Sequence, residues 1–229
     1  MTYGINILSD AGKIAFSTDY KSFRLLGKYT VTKSGGTNTQ GCTLTITSQT
    51  MPLCFVKPNY DSDYVVVDAM TQSGGSWTIY FSSSSIQLSG YSTLSIYVFT
   101  ADQQADTGYG INVFDSSGNV TFSSKYRTLK LSGWLVTSAA SGSPPIPTAS
   151  LTSGSIPASF AVCANSLGWI NKSVGGGFNA LTDIGINKTG STSVSFNTSR
   201  WLYTYPTGPN DYNFFGSLYI MYIDSSLYD

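Results

Sequence analysis

The sequence predicts an all-β protein built from two tandem antiparallel β-sandwich domains that arose by internal duplication. Three observations predict this fold: a composition suited to strands, apolar and polar residues that alternate within short segments, and a block that occurs twice. Among 229 residues, 36 are Ser, 26 are Thr and 23 are Gly, whereas Glu is absent. Because strong helix formers are scarce and turn residues abundant, this composition favours strands joined by short turns.

The repeated block sets the domain organisation. Residues 3–29 align without gaps on residues 109–135, with ten identities in 27 positions, where residue usage predicts about two. Fainter matches keep the same order, at 51–56 with 156–161, 76–81 with 191–196, and 92–99 with 216–223. The repeat therefore predicts one β-sandwich over residues 1–104 and a second, with longer loops, over residues 105–229.

Each copy opens with a signal for a β-hairpin. In both copies apolar and polar residues alternate on either side of a short polar turn, which ends in Gly12 in the first copy and in Gly118 in the second. Glycine adopts the positive φ that such turns need. Further strands are predicted, in chain order, at RLLGKYTVT, CTLTIT, LCFV, YVVVDA, WTIYF and LSIYVF. The polar stretch 100–108 is expected to join the domains, and 138–150 to form a loop.

Charge and composition argue against several functions. Twelve Lys and Arg balance twelve Asp, so no single-sign field attracts nucleic acid or an anionic membrane. The absence of His and Glu removes His-based triads, His metal ligands and Glu acid–base groups. No apolar run reaches the length of a membrane helix, and MTYGINILSD lacks the features of a secretion signal. We therefore expect a non-enzymatic protein, made in a cytosol, with no cofactor, no metal, no nucleic-acid partner and no membrane insertion.

The cysteines and a glycine-rich segment favour structural interpretations. Cys42, Cys54 and Cys163 lack zinc spacing and even parity, so we expect buried thiols. The segment VGGGFNALTDIG has no Lys-Ser/Thr pair after its glycines and no helix to bind a phosphate. We expect it to be a flexible loop.

Two groups of aspartates have the spacing of chemical sites but are better explained as turns. Asp61 and Asp63 show the i, i+2 spacing of calcium loops, yet only Asp68 lies near them in sequence, whereas calcium needs six or more oxygens. Asp102 and Asp106 could form a glycosidase pair, but nothing in the sequence raises the pKa of either carboxyl. A solvated turn and a linker are the expected structures.

An aromatic segment added to the second copy is the best candidate contact surface. Exposed aromatic side chains stack on sugar faces or fill anchor sites at protein interfaces. The candidate receptor or partner contacts are Trp201, Tyr203, Tyr205, Asn210, Asp211 and Tyr212. The alternation of the first three also fits a strand with one face buried in a core or subunit interface. In either case we expect the tip PTGPNDYN to be exposed.

The repeated opening resembles a known group of viral proteins. The pattern of Tyr-Gly-Ile-Asn-Ile/Val, a polar turn ending in Gly, and Val/Ile-x-Phe-Ser occurs in both copies. It resembles the start of tail-tip and tail-fibre-associated proteins of tailed bacteriophages. The resemblance covers about 27 residues per copy. It carries no binding residues over to this chain.

The resemblance implies a β-rich structural component of the virion, located in the phage tail and synthesised in the host cytoplasm. Its expected partners are other phage tail proteins and a host receptor or glycan, and we expect a homo-oligomer, most simply a trimer. Two alternatives stay open: a capsid decoration or head-fibre protein, and an enzyme that depolymerises surface glycan.

Overall fold

The computed structural model describes residues 6–8, 14–17, 21–32, 40–58, 65–83, 93–102, 110–137, 149–150, 157, 159–163, 169–175, 178–190, 193–206 and 219–229. Within these segments the chain is almost entirely strand. Among them, the only helical element is a 3-10 turn at Ser225–Leu227, and the remaining residues are turns and irregular connections, so the all-β prediction is confirmed. The predicted boundary between residues 104 and 105 and the turn glycine Gly12 lie outside the described residues.

The strands follow one another along the described chain with short intervals. They are β1 Asn6–Leu8, β2 Ile14–Ser17, β3 Arg24–Thr32, β4 Gln40–Thr47, β5 Leu53–Pro58, β6 Val65–Ser73, β7 Ser76–Ser83, β8 Thr93–Thr100, β9 Asn112–Phe114, β10 Val120–Ser123, β11 Gly133–Thr137, β12 Ala149–Ser150, β13 Phe160–Cys163, β14 Trp169–Gly175, β15 Phe178–Gly190, β16 Ser193–Pro206 and β17 Tyr219–Asp224. All six strands predicted from the first copy are present, and every pairing described is antiparallel.

Both predicted hairpins form, and they form in the same register. In β1–β2 the pair Asn6–Ser17 corresponds, 106 residues later, to the pair Asn112–Ser123 in β9–β10, and both hairpins carry a pairing irregularity at equivalent positions. Gly118 has a φ of 80°, as its place at the end of the polar turn requires. The paired hairpins confirm the local structure that the repeated block predicts.

Two sheets hold the remaining strands. One sheet has the order β12-β11-β17-β13-β5-β8-β3, and the other has the order β14-β15-β6-β7-β4, with β16 paired to β15. Both sheets contain strands from both sequence copies, because β13 pairs with β5 and β15 with β6. The two halves of the chain are therefore joined through backbone hydrogen bonds.

The order of the seven-stranded sheet is palindromic with respect to the aligned sequence blocks. Reading outward from the β5–β13 contact, β5, β8 and β3 on one side are matched by β13, β17 and β11 on the other. The registers at the outer pairs also agree. Gly27 pairs with Val98, and Gly133 pairs with Tyr222. Gly133 lies 106 positions after Gly27, and Tyr222 lies 124 positions after Val98. These are the offsets at which the first and last sequence blocks align.

A hydrophobic core fills the space between the two sheets in the first half of the chain. Alternate residues of β5 and β8 face alternate residues of β4, β6 and β7, because side chains on a strand point to opposite faces in turn. The buried members are Leu44, Ile46, Cys54, Val56, Val67, Ile79, Phe81, Leu94, Ile96 and Val98. The first copy thus has the two-layer packing of a β-sandwich.

A second core lies on the other face of the seven-stranded sheet and draws on both halves. Its buried members are Phe55, Tyr97, Phe99, Ala161, Cys163, Ile223 and Tyr228. Two chain segments cover it: the Leu129 amide donates to the Phe23 carbonyl at 2.8 Å, and the Leu25 amide donates to the Arg127 carbonyl at 2.7 Å. The centre of this sheet is therefore buried on both faces, which explains why β8 is apolar over most of its length.

Candidate functional site

The predicted aromatic contacts lie on a long hairpin formed by β15 and β16. These strands have 13 and 14 residues, and Trp201, Tyr203 and Tyr205 lie in the second half of β16. In the described part of the chain, β16 is hydrogen-bonded to β15 alone, and it also approaches β7 and β12. Asn210, Asp211 and Tyr212 lie outside the described residues. The hairpin therefore carries three of the six predicted contact residues.

The pairing along this hairpin is not regular. Tyr203 pairs with Leu181, but Trp201 pairs with Thr182, so one residue of β16 is skipped between the two aromatic residues. Such a bulge bends a strand and increases its local twist. The strict alternation that the sequence suggests over Trp201, Tyr203 and Tyr205 is therefore interrupted in the backbone.

The glycine-rich segment, residues 174–185, lies mostly within strands β14 and β15 of the same sheet. Gly175 ends β14 and pairs with Phe178, the first residue of β15. Residues 178–185 of the segment belong to β15, and residues 176 and 177 lie outside the described residues. The prediction of a flexible loop is therefore wrong for the described residues of this segment, because strand pairing extends through them.

Of the aspartates singled out in the sequence, Asp68 and Asp102 lie in described segments. Asp61, Asp63 and Asp106 lie outside the described residues, and Asp68 lies at the irregularity of the β6–β7 pairing. Among the residues that the structure describes, no three His, Cys, Asp or Glu side chains come together as metal ligands.

Asp102 has a structural role that the sequence did not reveal. Its Oδ1 accepts hydrogen bonds from the Gln49 and Thr50 amides at 3.0 and 2.8 Å and from the Thr50 hydroxyl at 2.8 Å. The hydroxyl of Ser48, itself buried, lies 3.0 Å away. A carboxylate that accepts several bonds from one turn fixes that turn, here the connection between β4 and β5.

The three cysteines are thiols and none forms a disulfide. Cys54 and Cys163 are buried, as predicted, whereas Cys42 is only partly buried on β4. Burial is the main cause that raises the pKa of the Cys54 thiol far above its ordinary value, and the electrostatic effect of the nearby Cys163 acts in the same direction. Cys54 therefore stays protonated and unreactive at neutral pH.

The clearest cluster of polar side chains closes the second core at residues 225–229. The Tyr228 ring packs edge to face on Phe99, with centroids 5.0 Å apart, and its hydroxyl donates to the Thr128 carbonyl and accepts from the Lys130 amide. The Asp229 carboxylate accepts from Lys28 Nζ at 2.6 Å. This segment, which we call the C-terminal clasp, fastens the last strand to both halves of the chain.

The electrostatics of the clasp follow from its contacts. The hydrogen bonds from Lys28 and then Tyr97 lower the pKa of the Asp229 carboxyl, and the charge of Lys57, 3.8 Å from it, acts in the same direction. Burial, followed by the hydrogen bond to Asp229, raises the pKa of Tyr97. The carboxylate and the neutral phenol thus stabilise each other.

The described strands and these contacts define an all-β, sandwich-like fold in which every described strand pairing is antiparallel. The middle section of the chain matches a family model: residues 59–207, 149 of the 229 residues, match the family of unknown function DUF6453. The chain belongs to that family. No curated protein and no solved structure matches it. The segments that the structure describes contain no helix with the length and hydropathy of a membrane span.

Proposed function

We propose that the chain is a non-enzymatic structural component of a bacteriophage tail, at its distal tip or in a fibre, that contributes to host attachment through surface contacts. The observation that carries the proposal is the repeated opening motif on which the phage-tail resemblance rests. The strands of both occurrences pair as a β-hairpin in the same register. The repeated sequence therefore corresponds to a repeated structural unit.

Internal duplication is part of the same proposal. It is supported by the palindromic strand order and by the Gly27–Val98 and Gly133–Tyr222 pairs, which recur at the offsets of the sequence alignment. A pseudo-twofold axis between β5 and β13 accounts for both. On this account the two copies share one sheet, and loops and hairpins of the second copy meet the partner.

Attachment by surface contacts requires many weak contacts acting together. We propose that the chain assembles as a homo-oligomer, with a trimer as the simplest state around the tail axis, and contacts other tail proteins. Several copies then present their hairpins to one cell surface, and avidity raises the overall affinity beyond that of a single copy. The candidate contacts are the β16 residues Trp201, Tyr203 and Tyr205, together with Asn210, Asp211 and Tyr212.

Location in the particle tests this proposal. Particles purified from the lysate that produces this chain are labelled with an antibody raised against the full chain and examined by electron microscopy. We expect label at the distal end of the tail and slower adsorption to host cells. Label on the capsid identifies a head decoration protein, and absence of the chain from intact particles refutes a virion role. Shortened host glycan after incubation with the pure chain identifies a depolymerase.

A further inference from the structure

The outer face of strands β4, β7 and β6 carries a regular array of uncharged side chains. Because the strands pair residue by residue, the side chains form three rows across the sheet, each with one residue from every strand. The rows are Thr47–Ser76–Ser73, Thr45–Thr78–Thr71 and Thr43–Tyr80–Ala69. Neighbouring strands lie about 4.8 Å apart, and successive rows about 7 Å apart. We call these nine residues the hydroxyl face.

The hydroxyl face is accessible because the opposite side of the same strands supplies the core. Leu44, Ile46 and Ile79 are buried against the seven-stranded sheet, whereas seven of the nine residues of the face are exposed and Thr78 and Ser76 are partly so. The pairing also holds the face rigid. Threonine has few side-chain rotamers, so little conformational entropy is lost when a ligand orders it.

The chemistry of the face selects the kind of partner. Eight of its nine side chains carry a hydroxyl group, and none is charged. Each hydroxyl both donates and accepts hydrogen bonds, and each threonine adds a methyl group. Burying an anionic or cationic group here removes its water without supplying an opposite charge, which is costly. A partner that presents neutral hydroxyls and C–H groups meets matching groups and no such cost.

Tyr80 adds an aromatic ring to this face. It is the largest side chain of the nine and 39% exposed, and its neighbours across the strands are the small Thr43 and Ala69. Tyrosine provides an apolar ring for packing and a hydroxyl for hydrogen bonding, and few rotatable bonds must be fixed. The Tyr80 ring therefore provides one packing site, at the end of the array, for a hydroxyl-bearing ligand that lies across the face.

We infer that the hydroxyl face binds a neutral glycan chain that lies flat across β4, β7 and β6. For its biological setting the inference rests on the proposed attachment role, but the binding itself is a property of the chain. Its physical basis is the match between an uncharged hydroxyl array and an uncharged hydroxyl-bearing polymer. Binding at one face is weak, and an oligomer that presents several faces gains avidity.

The test uses the purified full chain on an array of bacterial surface polysaccharides that holds neutral O-polysaccharides beside uronic-acid capsular polymers. We expect binding to neutral polymers, little binding to acidic ones, and no loss between low and high salt, because no ion pair is screened. The variant Thr45→Lys with Thr78→Lys places two charges at the centre of the array and is expected to reduce binding about tenfold or more. Thr30→Lys, an exposed strand threonine on β3, is the matched control and keeps wild-type binding.

A second variant separates the hydroxyl groups from the shape of the face. The double variant Thr45→Val, Thr78→Val keeps the side-chain volume and removes two hydroxyl groups whose oxygens lie 3.4 Å apart. We expect it to bind more weakly and to have unchanged stability. The inference is overturned if no neutral polymer binds, if the lysine variant binds normally, or if that variant changes only the oligomeric state. Tail label without glycan binding refutes this inference alone, and glycan binding without tail label refutes the proposed location alone.

Discussion

Tyr97 and Asp229 lie 132 residues apart in sequence, yet the Tyr97 hydroxyl donates a 2.6 Å hydrogen bond to the Asp229 carboxylate. Tyr97 is fully buried on β8, in the first half of the chain, and Asp229 is the last residue of the clasp. Lys28, paired with Tyr97 on the neighbouring strand, binds the same carboxylate oxygen. A single carboxylate therefore connects the last segment to two strands of the first copy.

The ring of Tyr228 makes the largest apolar contribution to the clasp, and its removal is expected to be costly. Tyr228→Ala leaves a cavity against Phe99 and Tyr97 and is expected to lower the free energy of unfolding by about 3–5 kcal/mol. Tyr228→Phe keeps the ring and loses only the hydrogen bonds to Thr128 and Lys130, at about 1–2 kcal/mol. Urea unfolding followed by tryptophan fluorescence measures both. Equal losses in the two variants contradict the assignment of the ring to the core.

Asp229 makes stability fall in acid. The pKa of its carboxyl is lower in the folded chain than in the unfolded chain, so the folded state favours the charged form. This contribution is complete above the unfolded value of 3.8 and disappears as pH falls through the lower folded pKa. We expect the urea midpoint of the wild type to decline below about pH 5 more steeply than that of Asp229→Asn. Since Asp229 is partly exposed, 0.5 M salt should shrink the difference.

If the urea midpoints of the wild type and Asp229→Asn differ by the same amount at every pH from neutral to pH 3, the Asp229 carboxylate does not cause the loss of stability in acid. The control is Asp224→Asn, which changes an aspartate of the same region whose carboxylate bonds only to its own turn at Ser226. This variant keeps the Lys28 and Tyr97 contacts of Asp229, so we expect its urea midpoint to retain the acid dependence that these contacts produce. A pH-dependent effect from Asp224 would mean that charge in the region, and not the Lys28 contact, governs acid stability.

Strand positions were predictable from the sequence because alternation and turn residues act locally. The segment RLLGKYTVT coincides with β3, and the two hairpins form where the repeated block predicts them. The pairing of Val56 with Val162, which joins the halves, was not predictable, since any strand edge can accept any other that reaches it. The clasp was also missed: SSLYD has no periodicity, and its contacts lie about 100 to 200 residues away.

The candidate site was predictable only as far as strand patterns reach. Trp201, Tyr203 and Tyr205 lie on a strand, as one of the two interpretations required, but the skipped residue between Trp201 and Tyr203 depends on the pairing with β15. The sequence predicts only a linker at Asp102, since its donors at Gln49 and Thr50 come from a turn about 50 residues earlier. A carboxylate fixes a turn only when donors from that turn lie within hydrogen-bonding distance of it. Folding brings these donors to Asp102, and the sequence around Asp102 does not identify them.

Asp102 should contribute to stability through the turn that it holds. Asp102→Ala leaves the Gln49 and Thr50 amides and the Thr50 hydroxyl without their acceptor, and we expect a loss of about 1–3 kcal/mol. Asp102→Asn keeps an oxygen at the same place and should cost less. Hydrogen exchange at residues 48–50 provides a local measurement. If exchange there is unchanged in Asp102→Ala, the carboxylate does not hold this turn.

Gly133 is expected to resist replacement because the ring of its strand partner lies over it. A Cβ at Gly133 would lie 2.7 Å from Tyr222 Oη and 2.9 Å from Tyr222 Cε1, and Tyr222 is buried, so the ring cannot move freely. We expect Gly133→Ala to lower the free energy of unfolding by about 1–3 kcal/mol through overpacking.

In the first copy a Cβ at Gly27 would approach the Tyr29 ring at 3.1 Å, and this ring is only partly buried. Gly27→Ala is therefore the matched control with the smaller expected loss, measured by thermal and urea unfolding of both variants. A larger loss from Gly27→Ala would show that ring burial does not set the cost, and recovery of stability when Tyr222→Phe is added to Gly133→Ala would locate the strain at the phenol oxygen.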